Sequence, residues 1–183
     1  MKNSRKNNKK RITKFFMNKN LAILGILFIS TIFTGCTNPD ADIDPQIDLA
    51  ASSIEFSVVK TDDFKGVATI KGIVKNVGDN FSSGDGQQTI YLYERSLGTP
   101  STQPGTIVAQ KAFTTLSAGQ TLEVSFSRNW NSGSPAEGEF PPEYILLISY
   151  DPDLYIDSNL NNDDTDHGND EILVSGSEIN ALF

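Results

Sequence analysis

Along residues 121–128 apolar and polar side chains alternate, with Leu122, Val124 and Phe126 set against Thr121, Glu123, Ser125 and Ser127. A period of two is the signature of a strand with one face on a core and the other in water, because successive side chains leave a pleated strand on opposite sides. Further β-rich runs occupy residues 49–59, 66–75, 89–94, 106–113, 143–150 and 171–175. The stretches between them, at 76–80, 83–86, 96–105 and 131–142, are dense in Gly, Pro, Asn, Asp and Ser, which is turn and loop chemistry. From Ile47 onward no apolar series of useful length recurs at helical spacing. About seven strands in this length predict an all-β sandwich. The expected core comprises Phe113, Leu122, Val124, Phe126, Trp130, Tyr144, Leu146 and Ile148, with Trp130 as a packing residue rather than a sugar platform. Tyr91 and Tyr93 alternate with Ile90 and Leu92, so the pair is expected on an outer face as an aromatic binding contact.

The N-terminal pattern is different. Residues 1–20 are basic and polar, and residues 21–33 (LAILGILFISTIF) form a 13-residue apolar run that ends against Thr34, Gly35 and Cys36. A basic region, a short apolar region and a small residue before the cut are the physical requirements of an export signal. As a helix the run would span only about 20 Å, against roughly 30 Å of bilayer hydrocarbon, so a cleaved leader fits better than a permanent span. Residues 37–46 (TNPDADIDPQ) hold two prolines and three aspartates with little apolar content and are expected to form an extended tether.

Charge sharpens the division. Eight of the 15 Lys and Arg residues fall within residues 1–35, which contain no acidic residue, so the remainder sets seven basic side chains against 23 acidic ones. Such a surface repels phosphate backbones and argues against nucleic acid as a partner. The chain has one cysteine, so no internal disulfide is available and the domain must be held by packing.

The sequence Phe33-Thr34-Gly35-Cys36 resembles the bacterial lipobox, in which the cysteine becomes a lipid-carrying N-terminus; Phe33 stands where that motif usually has Leu. The resemblance implies lipidation at Cys36, with residues 1–35 as signal peptide and residues 36–46 as lipidated cysteine and tether. The chain would then be anchored in the cell envelope, at the outer membrane and facing either the periplasm or the surface. Asp48-Leu49 with Ser52-Ser53-Ile54, Gly72-Ile73-Val74-Lys75-Asn76-Val77-Gly78, Tyr91-Leu92-Tyr93, Leu116-Ser117-Ala118-Gly119-Gln120, and Asp151-Pro152-Asp153 with Asn161-Asn162 follow one another in an order that resembles CARDB-type domains. These are immunoglobulin-like modules of exported bacterial proteins, linked to adhesion. That likeness implies an immunoglobulin-like domain over residues 47–183.

The most unusual stretch is residues 151–170, DPDLYIDSNLNNDDTDHGND. Its carboxylates and amides are the hard oxygen donors that Ca²⁺ takes, and Asp151, Asp153 and Asp157 are the candidate ligands because they follow a strand. Asp157-x-Asn159-x-Asn161 opens like an EF-hand loop, but Asn162 replaces its turn glycine and Gly168 its final glutamate. A solvated acidic loop is the other reading. His167, the only histidine, has no partners in sequence that suggest a zinc site or a catalytic relay. No Gly-rich phosphate loop opens a helix. The expectation is therefore a non-catalytic adhesion or binding module for a protein or glycan. The alternative is an assembly lipoprotein that pairs strand edges.

Overall fold

The alternating run at residues 121–128 continues as a strand to Asn131, giving β7, Thr121–Asn131. The computed structural model describes residues 44–183; the expected leader, Cys36 and the expected tether up to residue 43 lie outside the described residues. The other six runs are also strands: β1 (Leu49–Lys60), β2 (Lys65–Asn76), β4 (Gln88–Arg95), β5 (Thr106–Ala112), β8 (Glu143–Tyr150) and β9 (Glu171–Ser175). Two short strands that the pattern does not reveal, β3 (Phe81–Ser82) and β6 (Thr115–Leu116), pair with each other.

The fold is an all-β sandwich. One sheet has the order β1-β2-β7 and the other β5-β4-β8-β9, and every pairing within them is antiparallel. Ile54, Ile70 and Val124 from the first sheet share a core with Ile90, Leu92, Tyr144, Leu146 and Ile148 from the second. Six of the eight expected core residues are buried, while Leu122 and Phe126 are partly buried and pack against them. The sheets approach closely at Gly72, where an added Cβ would lie 2.7 Å from Leu146 Cδ1. A side chain there would push the layers apart.

Polar clusters close the sandwich at both ends. At the end holding the β1–β2 hairpin, Arg128 donates to Glu94 (2.8 Å) and Glu137 (2.9 Å), and Tyr144 Oη donates to Glu94 (2.9 Å). Trp130 is 2% exposed, lies under the Arg128 guanidinium at 5.6 Å, and donates to Asn180 Oδ1 at 2.8 Å, so it is a packing residue whose polar edge is satisfied. Asn180 belongs to a one-turn helix, α1 (Ser177–Asn180), anchored by buried Ile179. At the other end, buried Asn76 donates to the backbone oxygens of Asp79 (2.7 Å) and Leu116 (2.6 Å), joining two loops.

Candidate functional site: an acidic loop and an apolar sheet face

The acidic stretch begins where β8 ends. Asp151 caps a 3-10 turn, Pro152–Ile156, by accepting from the Asp153 amide at 3.0 Å, and Leu154 pins that turn into the interior. Asp157 follows with both carboxylate oxygens engaged: Oδ1 accepts from Asn159 N at 2.7 Å, and Oδ2 accepts from Gln87 Nε2 and Asn162 Nδ2, each at 2.9 Å. These hydrogen bonds, Gln87's foremost, hold the Asp157 carboxyl below its ordinary range. Asp151, Asp153 and Asp157 are all exposed. The structure does not gather them into one ligand set. Among the described residues, Asp164, His167 and Asp170 are the group of three whose candidate ligand atoms lie within 4.8 Å of one another.

That second group lies around Tyr150, at the end of β8. Tyr150 Oη donates to Asp164 Oδ2 at 2.7 Å and lies 3.2 Å from Asp170 Oδ1, while His167 Nδ1 donates to Asp170 Oδ2 at 2.9 Å. Asp164 also accepts from the backbone amides of Leu49 and Asp166, each at 2.9 Å. Thr165 donates to the Ile47 carbonyl (2.7 Å) and Asn169 to Asp48 (2.9 Å), so the loop is fastened to the chain entering β1. Burial, then the Asp164 carboxylate, pushes the Tyr150 phenol far above its usual range. Burial likewise raises Asp170, and burial followed by the nearby aspartates pushes Tyr155 up to about 12. Both oxygens of Asp164 have donors, and Asp170 is held by His167 with the Tyr150 hydroxyl beside its other oxygen, so this group fastens the loop to β8 and to the chain entering β1.

The second candidate surface is the outer face of the β5-β4-β8-β9 sheet. Register places Ile107, Tyr93, Ile145 and Leu173 in one row across all four strands, and Tyr91 stands beside Leu147 in the next. The tyrosine rings lie 5.8 Å apart and are half-buried. Ile145, although on the solvent side of the sheet, is only 2% exposed, whereas Ile107 and Leu173 are 46% and 42% exposed. Gln110, Thr89, Ser149 and Glu171 ring this patch, and the Arg95–Glu143 ion pair (2.8 Å) closes its rim. Beside Tyr91 a shallow groove of about 170 Å³ runs between residues 86–89 and 149–151.

The alternating tyrosines are visible in the sequence, but Ile107, Ile145, Leu147 and Leu173 are not. In β8 the apolar run Tyr144 to Ile148 hides which side chains face outward; only its register with Tyr93 resolves them.

No protein-family model matches the chain, and no curated protein matches it. Among solved structures, a selenomethionine-labelled β-glucosidase from Kluyveromyces marxianus aligns over 60% of this chain and 13% of its own, with 18% identity and a TM-score of 0.26. The chain thus spans a small part of that protein, and the likeness is too slight to carry any statement about this one.

Proposed function

We propose that this chain is a non-catalytic cell-envelope module, held on a membrane by lipid at Cys36, that binds a protein or glycan partner through the outer face of its four-stranded sheet. One observation carries the reading: the Ile107–Tyr93–Ile145–Leu173 row, with Tyr91 and Leu147 beside it, is an apolar centre with a polar rim that runs unbroken across all four strands of one sheet. Recognition surfaces have that anatomy, and tyrosine is favoured in them because it offers a large contact area with few torsions to freeze. The groove beside Tyr91 gives a partner a place to key in. The resemblances to CARDB-type domains and to the lipobox support the adhesive role and the envelope address.

The test is a binding screen of residues 42–183, a compact unit containing all nine strands, against immobilised envelope glycans and fractionated envelope proteins. Tyr91→Ala and Tyr93→Ala are expected to weaken a saturable interaction about tenfold or more each, while Glu55→Ala on the opposite sheet leaves it unchanged. Equal loss from both faces, or none from either tyrosine, would overturn the assignment of the face. In the full chain, a radiolabelled fatty acid is expected to be incorporated and to disappear in Cys36→Ser.

Strand addition is the second reading. It is favoured by β1, a 12-residue edge strand whose one acidic residue, Glu55, faces solvent rather than the core. The tyrosine substitutions separate the two, since an edge-paired complex survives them.

A further inference from the structure

The end of the sandwich that holds the β1–β2 hairpin carries an open dish of about 500 Å³, lined by Lys60, Asp63 and Phe64 from the hairpin and by Ser132 and Gly133 from the loop between β7 and β8. Phe64 stands in it 62% exposed. A lone exposed ring is ordinary, but this one is fixed in place. Asp62 Oδ1 accepts from the amides of Phe64 (2.8 Å) and Lys65 (2.7 Å), and the Phe64 carbonyl accepts from the amide and the hydroxyl of Ser132, at 2.8 and 3.2 Å. Asn180 holds the far side of the same loop by donating to the Glu137 and Gly138 carbonyls at 3.1 and 3.3 Å. The dish is therefore preformed, and a ligand entering it has little left to order.

Gly133 is the telling residue. Among the described glycines, each of the others either has a positive φ or would bring an added Cβ within 3.1 Å of a neighbour. At Gly133 neither holds: an added Cβ would meet Asn131 Oδ1 at 3.5 Å and Phe64 Cβ and Cγ at 3.7 and 3.8 Å, which are ordinary contacts. The backbone has no need of glycine there. What the missing side chain does is leave the space beside the Phe64 ring open.

We propose that this dish binds a neutral saccharide, stacked on Phe64 over Gly133. A sugar ring has C–H-lined faces that lie against an aromatic ring and a rim of hydroxyls, each of which both donates and accepts. The dish offers the ring for the first and, for the second, the Asp63 carboxylate, the Lys60 ammonium and the Ser132 hydroxyl. Asp62, not Asp63, is the carboxylate that holds the turn. The charges also choose the ligand class, because the dish sets one acid against one base in a chain with a large acidic excess. An anion would meet Asp63, a cation would meet Lys60, and an alkyl chain would strip water from both without replacing its hydrogen bonds. The inference is independent of the sheet-face reading, since the dish lies at the end of the sandwich and shares no residue with that row.

The experiment is a titration of ¹⁵N-labelled residues 42–183, followed by amide chemical shifts. The probes are methyl glycosides of glucose, galactose, mannose and N-acetylglucosamine, and the disaccharides cellobiose, lactose and chitobiose, with glycerol and glucuronate as controls. At least one neutral saccharide is expected to produce saturable shifts centred on Phe64, Ser132 and Gly133, and glycerol none. Gly133→Leu should fill the dish and abolish the shifts with its thermal midpoint unchanged. Phe64→Ala should raise the dissociation constant about tenfold, through loss of the stacked ring. Val77→Ala, an exposed apolar residue at the other end of β2, should leave binding as it was. Thermal midpoints report whether each variant folds, and Phe64→Ala decides the matter if Gly133→Leu does not. The proposal is overturned by the absence of saturable shifts with every neutral probe, by shifts centred elsewhere, or by binding that survives Phe64→Ala undiminished. Tighter binding of glucuronate than of any neutral sugar overturns the ligand class.

Discussion

The two sheets have the same construction and opposite outer faces. On the three-stranded sheet the solvent side carries Ser57, Thr69 and Ser127 in one row, with Thr69 and Ser127 hydroxyls 2.8 Å apart, and Lys71 sits between Glu55 (2.8 Å) and Glu123 (3.5 Å). On the four-stranded sheet the comparable row is Ile107, Tyr93, Ile145 and Leu173. Folding requires an apolar inner face from each sheet and makes no demand on the outer ones beyond solubility, so the first outer face, polar and charged except for Val59, Val67 and Ile73, is close to what water alone selects. An outer row that excludes water from Ile145 goes beyond what folding requires, and the proposed binding role rests on it.

That contrast can be broken most forcefully at Ile145. Ile145→Asp places a carboxylate where 2% of the residue is exposed and is expected to cost about 3–5 kcal/mol, through lost packing and a charge without a partner. Ser125→Asp, on the opposite exposed face, is expected to stay within about 0.5 kcal/mol of the parent. Urea unfolding of both variants is the check. Near-equal stabilities would mean that Ile145 is not packed by its neighbours and would remove the basis for distinguishing the faces.

A second contrast separates tyrosines facing inward from the outer pair. Tyr144 and Tyr150 point into the sandwich, and burial followed by Glu94 and Asp164 respectively raises both phenols far above the ordinary tyrosine value of about 10. A raised folded value means that the neutral phenol contributes stability in full below 10.0, and that this contribution is lost as pH climbs and the unfolded chain ionises first. The urea midpoint is therefore expected to fall steadily above pH 10, with phenolate absorbance from these two residues appearing only as the protein unfolds. In Tyr150→Phe the fall should be shallower. If Tyr150 ionised in the folded protein before unfolding began, the account of its contact with Asp164 would be wrong.

The sequence was a good guide to half of this picture. Alternation located β7, and β-rich runs with turn chemistry between them located six more strands, because both signals are local. The apolar outer face was not legible, since it is assembled one residue at a time from four strands; no single strand announces it, and β8, apolar on both faces, conceals its share. The acidic stretch was legible as unusual and illegible in arrangement. A solvated loop and a set of ligands at Asp151, Asp153 and Asp157 were the natural readings of its composition. The structure instead buries Asn162, Asp164 and Asp170, through partners such as Leu49 and Gln87 that are 115 and 75 residues away in the chain for Asp164 and Asn162. Long-range pairing of that kind leaves no trace in spacing.

The smallest expected effect lies on the charged face and sharpens the contrast from the other side. Lys71 is held in its charged form chiefly by its hydrogen bond to Glu55, yet both partners stand in water, where screening and the freezing of two long side chains offset most of the attraction. Lys71→Ala is therefore expected to leave the urea midpoint within experimental error at physiological salt, with any difference confined to low salt and disappearing as salt is added. A clear, salt-insensitive loss would show that the Glu55–Lys71–Glu123 row is structural. The charged face would then be a built surface too, and the apolar row opposite would lose its claim to be the one the protein keeps for a partner.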